Sequence, residues 1–243
     1  MNNLAIKNKL VKLVKRAYKK IKNLDKEVAL KGSKDLLTTA DLTVEKFLIT
    51  QINKFMPNVP IISEEYNFDK KTSKEYFTID PIDGTINYAN GLDIWGIQVA
   101  YINNFEKQVA VIYFPKLKKI YSAIKDKDAF LKNKKICVNN TSLENGIVGI
   151  DFSKANPKNF DIAKNISKEV MRTRNLGAAC FGFSMVAEGS IIAYILFQNT
   201  VWDIDPGYLL CKEAGAYIER NEVYTIAANT KETLDTLKNI LKN

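Results

Sequence analysis

Asp80-Pro81-Ile82-Asp83-Gly84-Thr85 follows directly on the apolar-aromatic run Tyr76-Phe77-Thr78-Ile79. The run reads as a buried strand that ends at Asp80, because Pro81 has no N–H to give to a sheet ladder. Gly84 permits a tight turn into a helix, whose first backbone N–H groups have no partners within it. Two hard carboxylates beside such donors can hold cations and a phosphate at one spot. A plain acidic turn between a strand and a helix suits the same residues. The rest of the chain has to decide between the two.

At 243 residues the chain fits one large domain or two interlocked halves. With 46% hydrophobic and 26% charged residues, its composition is that of a soluble globular protein. No apolar run approaches the length of a membrane span, and Met1-Asn2-Asn3-Leu4 leads into lysines rather than an apolar signal core. Cys137, Cys180 and Cys211 fit no C-x-x-C pattern and read as reduced, mostly buried thiols, so the expected compartment is the cytoplasm. Histidine is absent. Its absence excludes Ser-His-Asp triads, Cys-His nucleophiles and histidine-bearing zinc sites. Acid–base and metal work must fall to carboxylates, hydroxyls, lysines or water, which points to hard cations such as Mg²⁺.

Much of the net charge of +9 sits near the start, at Lys7, Lys9, Lys12, Lys15, Arg16, Lys19, Lys20 and Lys22. A basic helix of this kind suits nucleic acid or an anionic membrane. However, Leu10, Val14, Ala17, Ile21 and Leu24 form an apolar stripe at helical spacing, so the lysines are expected to be its solvated face. The positive field still favours anionic substrates.

Beyond this helix, Glu27–Leu30 is a short apolar piece that Lys31-Gly32-Ser33-Lys34 interrupts. Leu42, Val44, Phe47, Leu48 and Ile52 predict a helix capped by Thr39 or Asp41 and ending near Met56-Pro57. Val59–Ile62 predicts a strand that delivers Ser63-Glu64-Glu65. Trp95–Ile102, Gln108–Phe114, Lys119–Ile124 and Asp128–Leu131 predict an antiparallel meander with turns at Asn103-Asn104 and Pro115-Lys116. From Gly146 the pattern alternates strands with helices at about Pro157–Glu169, Gly177–Glu188, Pro206–Ala214 and Thr230–Leu241. The strands between are Met171–Arg174, Ile191–Phe197, Ala216–Glu219 and Val223–Ala227. Two layered halves, 1–140 and 141–243, are expected to meet near residue 140.

Four acidic places then weigh together: Asp41, Glu64, the Asp80/Asp83 pair and Trp202-Asp203-Ile204-Asp205. Each lies beside strongly apolar sequence, where a charge is costly unless paired or metal-bound. Asp203, ahead of Pro206, also suits a simple helix N-cap. Together, without a local basic partner, the acids could neutralise two or three divalent cations, the apparatus of phosphate-ester hydrolysis.

In this order and spacing, D-L-L-T-T-A-D (Asp35–Asp41), I-I-S-E-E (Ile61–Glu65), D-P-I-D-G-T (Asp80–Thr85) and W-D-I-D-P-G (Trp202–Gly207) resemble the inositol monophosphatase superfamily. Its members are Mg²⁺-dependent, lithium-sensitive phosphatases, and the resemblance spans nearly the whole chain. It implies a layered α/β/α/β/α sandwich of mixed α/β class and a homodimer. It also implies that Glu64, Asp80 and the Ile82 carbonyl hold one metal, with Asp80 bridging to a second held by Asp83 and Asp203. The number of Mg²⁺ ions would be two to three, with Li⁺ inhibitory. Gly84 and Thr85 would offer N–H groups to the phosphate. Arg174–Ala179 resembles the substrate-lining loop, so Gly177, Ala178 and Ala179 would join Asp83, Gly84, Thr85 and Asp203 around the substrate. Asp41 would orient the Thr85 hydroxyl, and these two with Glu64 would position and deprotonate the attacking water.

Substrate choice is less uniform in its signals. Inositol-specific relatives carry an acid seven positions before the tryptophan-linked aspartate, where this chain has Leu196. Without that acceptor, strict inositol recognition is disfavoured. Asn58–Glu65 is closer to the phosphatases of 3′-phosphoadenosine 5′-phosphate, whereas Gly84–Gly91 resembles the inositol branch. Asp205 stands where relatives often have alanine and is expected to be a helix-start acid, with a substrate-facing role as the other option. The expected activity is hydrolysis of a small sugar or polyol phosphate, an anionic ester, without a membrane or nucleic-acid partner. The alternatives are 3′-phosphoadenosine 5′-phosphate, fructose 1,6-bisphosphate or histidinol phosphate as substrate, and an RNA-binding regulator that uses the helix at Leu4–Lys22.

Overall fold

The computed structural model describes residues 1–24, 27–30, 36–152, 157–198 and 200–242. The basic loop at Lys31–Lys34 and Asp35 of the first motif lie outside the described residues. Helix α1 (Asn3–Ile21) begins with Asn2 as N-cap and buries Ile6, Leu10, Leu13, Val14, Ala17 and Ile21. The expected stripe is therefore correct to Ile21. Leu24 lies beyond the helix end and is exposed. Strands β1 (Val28–Leu30) and β2 (Leu36–Thr38) form a small hairpin ahead of α2 (Thr39–Asn53).

The large sheet comprises β3 (Ile61–Ser63), β4 (Glu75–Asp83), β5 (Gly96–Asn103), β6 (Glu106–Phe114), β7 (Lys119–Ile124), β8 (Ala129–Leu131) and β9 (Lys134–Ile136), in that spatial order. Short α3 (Thr85–Ala89) lies between β4 and β5. All neighbours are antiparallel except β3 and β4, so the expected meander is present and gains a final strand. The second sheet, ordered β11-β10-β12-β14-β13, comprises β10 (Ile147–Phe152), β11 (Arg172–Arg174), β12 (Ala193–Phe197), β13 (Tyr217–Arg220) and β14 (Thr225–Ala228). Its helices are α4 (Pro157–Glu169), α5 (Ala179–Ala187), α6 (Val201–Glu213) and α7 (Lys231–Lys242).

Strand alternation builds the layers. Val109 and Val111 of β6 join the core under α1 and α2, whereas Ala110, Ile112 and Phe114 face α5 and α6. The other side of α5 and α6 meets Tyr194, Leu196 and Ala227 of the second sheet. That sheet's opposite face, including Val148, Ile195 and Ile226, packs on α4 and α7. Helices, sheet, helices, sheet, helices follow in turn. The expected α/β/α/β/α sandwich is the observed one.

Candidate metal centre

β4 does not stop at Asp80, as expected from Pro81, but continues to Asp83. Asp80 pairs with Gln98 and Asp83 with Gly96, so Pro81 and Ile82 together stand opposite Ile97. This is a β-bulge, and a proline in it forfeits no ladder bond. The bulge also sets the geometry of the acids. In a regular strand, residues three apart point to opposite faces. The extra residue brings Asp83 back to the face of Asp80. Gln98 reads that shared face directly: its amide donates to Asp80 Oδ2 at 3.2 Å and to Asp83 Oδ2 at 3.3 Å.

Helix α6 supplies the third acid. It was expected to start at Pro206, but it starts five residues earlier and carries the proline inside it. The N-cap is Thr200, so Asp203 is not a cap but the third helical residue. Thr200 Oγ1 and Gln198 Nε2 both donate to Asp203 Oδ2. Oxygen atoms of Asp80, Asp83 and Asp203, all buried, lie within 4.8 Å of one another.

Burial and like charge act together on this cluster. Desolvation, then Glu64, Asp83 and Asp203 in turn, holds the Asp80 carboxyl well above the usual carboxylate range. Asp83 is pushed up to about 7 by desolvation and by Asp203, against the opposing N–H donors of Cys180 and Ala179. Asp80 Oδ1 is buried with no hydrogen-bond partner among the described residues. No described lysine or arginine forms an ion pair with Asp80 or Asp83. Clustered hard oxygens, one of them orphaned and those of Asp80 and Asp83 in no ion pair with a described cationic side chain, fit a divalent cation such as Mg²⁺.

The other expected residues surround this cluster. Glu64 follows β3 in a turn and is half-buried. Asp41 is the third residue of α2 in a capping box with Thr38, the true N-cap, in place of the expected Thr39 or Asp41. Its Oδ2 accepts the Thr38 N–H at 2.8 Å and the Thr38 hydroxyl, and burial nevertheless pushes it up to about 6. Thr85 Oγ1 lies 3.4 Å from Asp41 Oδ1 but 2.9 Å from the Ile82 carbonyl, which is the better acceptor for its proton. Gly84, at φ +88°, turns the chain from β4 into α3. At the start of α5, the Ala179 N–H (3.0 Å) and the Cys180 N–H donate to the Asp83 carboxylate. The Gly177 N–H is taken at 3.0 Å by Asp151. Ala178 and Ala179 are buried and Gly177 is exposed. Leu196 is buried in the core between the sheets, in register with Asp151.

Three polar residues that hold this arrangement were not singled out in the sequence. Glu45, fully buried on α2, accepts from Ser63 Oγ at 2.6 Å, Glu65 N–H at 2.9 Å and Tyr66 N–H at 2.7 Å, and so fixes the turn that bears Glu64. Gln98 is the link between the bulge acids. Asp151 accepts from the Leu176 and Gly177 N–H groups and from the Tyr194 hydroxyl, and so fixes the loop before α5. Their signal was a polar residue inside an apolar pattern: Glu45 between Val44 and Leu48, Gln98 between Ile97 and Val99, Asp151 between Ile150 and Phe152. A cavity of about 510 Å³ between α1 and the turns after β6 and β8, lined by Lys7, Lys15, Lys118 and Lys132, shares no residue with the acidic cluster. Volume is thus a poorer guide here than chemistry.

A sequence profile described as the inositol monophosphatase family matches residues 2–233. A "Fructose-1,6-bisphosphatase/inositol-1-monophosphatase" of Aquifex aeolicus is 32% identical over 219 residues, covering 88% of this chain and 80% of that protein. Among solved structures, an IMPase of Thermotoga maritima superposes with a TM-score of 0.87 at 26% identity, over 100% of this chain and 99% of the other. An IMPase/NADP phosphatase complexed with Mg²⁺ and phosphate shares the fold, with a TM-score of 0.86 at 22% identity, over 98% and 95% of the chains.

Proposed function

Because this chain belongs to the inositol monophosphatase family, we propose that its acidic cluster is the catalytic centre of a Mg²⁺-dependent phosphatase of a small sugar or polyol phosphate. The observation that carries this reading is the convergence of Asp80, Asp83 and Asp203, all buried, with no described lysine or arginine in an ion pair with Asp80 or Asp83. In it, Asp80, Asp83, Asp203, Glu64 and the Ile82 carbonyl hold two to three ions. Residues 1–140 supply most ligands, and 141–243 complete the site with Asp203 and the segment Gly177–Ala179. Bound divalent cations supply Lewis acidity, which lowers the pKa of a water molecule and neutralises charge on the phosphate and the leaving group. Gly84 and Thr85 direct backbone N–H groups at the phosphate, and α5 holds Asp83 in place. Glu64, with the Asp41–Thr85 pair, accepts the proton of the attacking water and aligns it for in-line displacement. No covalent phosphoenzyme is required.

The substrate class rests on two observations. The Aquifex aeolicus relative bears the names of both a sugar-bisphosphate and an inositol-phosphate activity. The position at which inositol-specific relatives carry an acid is here Leu196, packed in the core between the sheets, which favours a site less strict than one built for inositol alone. The same reading extends to a cytoplasmic homodimer that does its chemistry without membrane or nucleic acid. Phosphate release from inositol 1-phosphate, fructose 1,6-bisphosphate, histidinol phosphate and 3′-phosphoadenosine 5′-phosphate tests it, each with Mg²⁺ and with EDTA. We expect Mg²⁺-dependent, lithium-inhibited turnover, fastest on a sugar or polyol phosphate. The absence of metal-dependent release from all four would overturn the catalytic reading. Preference for the nucleotide would shift the substrate class.

A further inference from the structure

Asp205 lies two residues beyond Asp203, and the chemistry above leaves it without a task. It is not the helix-start acid expected, since it is the fifth residue of α6, and it is not substrate-facing either: only 1% of it is exposed, and it is enclosed by groups from both sheets. Lys107 Nζ of β6 lies 3.2 Å and an Arg220 guanidinium nitrogen of β13 lies 3.5 Å from its Oδ1. The Tyr76 hydroxyl of β4 donates to its Oδ2 at 3.3 Å. Lys107 also sits 4.6 Å over the ring of Tyr208, three residues further along α6. In contrast to Asp80 and Asp83, this buried acid is fully compensated by cations.

The compensation depends on a second bulge. Regular alternation along β6 would send Lys107 to the face of Val109 and Val111, into the core under α1. The ladder slips instead: Tyr101 pairs with Val109 and Ile102 with Lys107, which leaves Gln108 as the extra residue. Lys107 is thereby turned onto the α6 face, in a row with Ile102 and Tyr76. There is also a reason for α6 to need an anchor at this point. Pro206 has no N–H to give to the Trp202 carbonyl, so the turn that carries Asp203 is less firmly tied to the rest of its helix. That same turn must hold Asp203 against the like charges of Asp80 and Asp83.

We propose that Asp205, held by Lys107, Arg220 and Tyr76, is a positioning residue for the metal centre: it pins the first turn of α6 to both sheets, so that Asp203 meets Asp80 and Asp83 at the spacing that a divalent cation requires. This rests on the metal-centre reading above. The test is direct Mn²⁺ titration of the full chain, followed by the electron paramagnetic resonance of free Mn²⁺, with no substrate present. Asp205→Asn should weaken Mn²⁺ about tenfold, and Lys107→Met, which leaves Asp205 on Arg220 and Tyr76, by about threefold. Val111→Ala, buried under α1 on the face of the sheet opposite to α6, should lower thermal stability without moving the Mn²⁺ affinity. Affinity of a folded Asp205→Asn variant within about twofold of the parent overturns the proposal. So does an equal loss in Val111→Ala, which would make the effect one of general stability. If Asp205→Asn does not fold, Lys107→Met decides: a weakened site supports the proposal and an unchanged one overturns it. A parent chain that fails to bind Mn²⁺ would instead remove the metal-centre reading itself.

Discussion

The acids of the centre divide by how their charge is matched. Asp41 and Glu45 are buried but hydrogen-bonded to their surroundings, and Asp205 is paired with cations. Asp80, Asp83 and Asp203 are buried against one another, which is the arrangement a protein avoids unless something else supplies positive charge. Asp83 is the most informative to change, because it also binds the N–H groups that open α5. Asparagine there keeps the volume, removes one of the mutually repelling charges and turns an NH₂ group toward ligand or donor. Asp83→Asn should lower turnover by about a hundredfold or more. In EDTA at pH 8 the variant should be at least as resistant to thermal unfolding as the parent. A variant that turned over at the parental rate would remove Asp83 from the ligand set.

At the scale of elements, the site is made where two strands are imperfect and two helices begin. The bulge in β4 puts two acids on one face, and the left-handed Gly84 immediately sends the chain away from the sheet. A Cβ on Gly84 would meet Ala178 Cβ at 3.0 Å, the Ile94 carbonyl at 3.1 Å and the Gly177 carbonyl at 3.2 Å, on a backbone that L residues rarely adopt. Relief would require the turn and the loop before α5 to separate, yet Asn87 holds them together by donating to the Ile94 and Leu176 carbonyls at 2.8 and 2.9 Å. Gly84→Ala should therefore cost about 1–3 kcal/mol in urea unfolding and weaken inhibition by inorganic phosphate. Full stability with unaltered phosphate inhibition would show that the close approach is not needed.

For the molecule as a whole, the centre couples folding to metal and pH. Asp80 and Asp83 come from the seven-stranded sheet, whereas Asp203 comes from the helix layer beneath it, so mutual repulsion works against docking of the layers. Both sheet acids have folded pKa values raised above their unfolded ones, Asp83 to about 7. The native state then binds more protons than the unfolded state between about pH 4 and 7, and stability falls as pH rises through that window. In the metal-free protein this loss is complete for Asp83 above about pH 7. A divalent cation takes the place of those protons and stabilises whatever state binds it. The rise in Tm on adding Mg²⁺ to EDTA-treated protein should accordingly be larger at pH 8 than at pH 5.5. Equal rises at both pH values would separate Mg²⁺ binding from these carboxylates.

Most of the order of elements and the ligand types were legible in the sequence from local rules: alternation, helical spacing and the hard oxygens left when histidine is absent. The layered sandwich was instead implied by the resemblance of the four acidic motifs to a known family. The meander and the lysine face of α1 came from the same rules. Among the readings that failed, two did so because the rules describe regular elements. Pro81 looked like the end of a strand, and it sits in a bulge; Pro206 looked like the start of a helix, and it lies within one. Sequence by itself determined which side chains could bind a cation and in what order they occur. Only the tertiary structure decided which way they point. Residues 80 and 83 face the same way because a partner strand is one residue shorter between Gly96 and Gln98, and Lys107 reaches Asp205 because of a similar slip beside Ile102. A register shift is a property of two strands together, and neither strand encodes it alone.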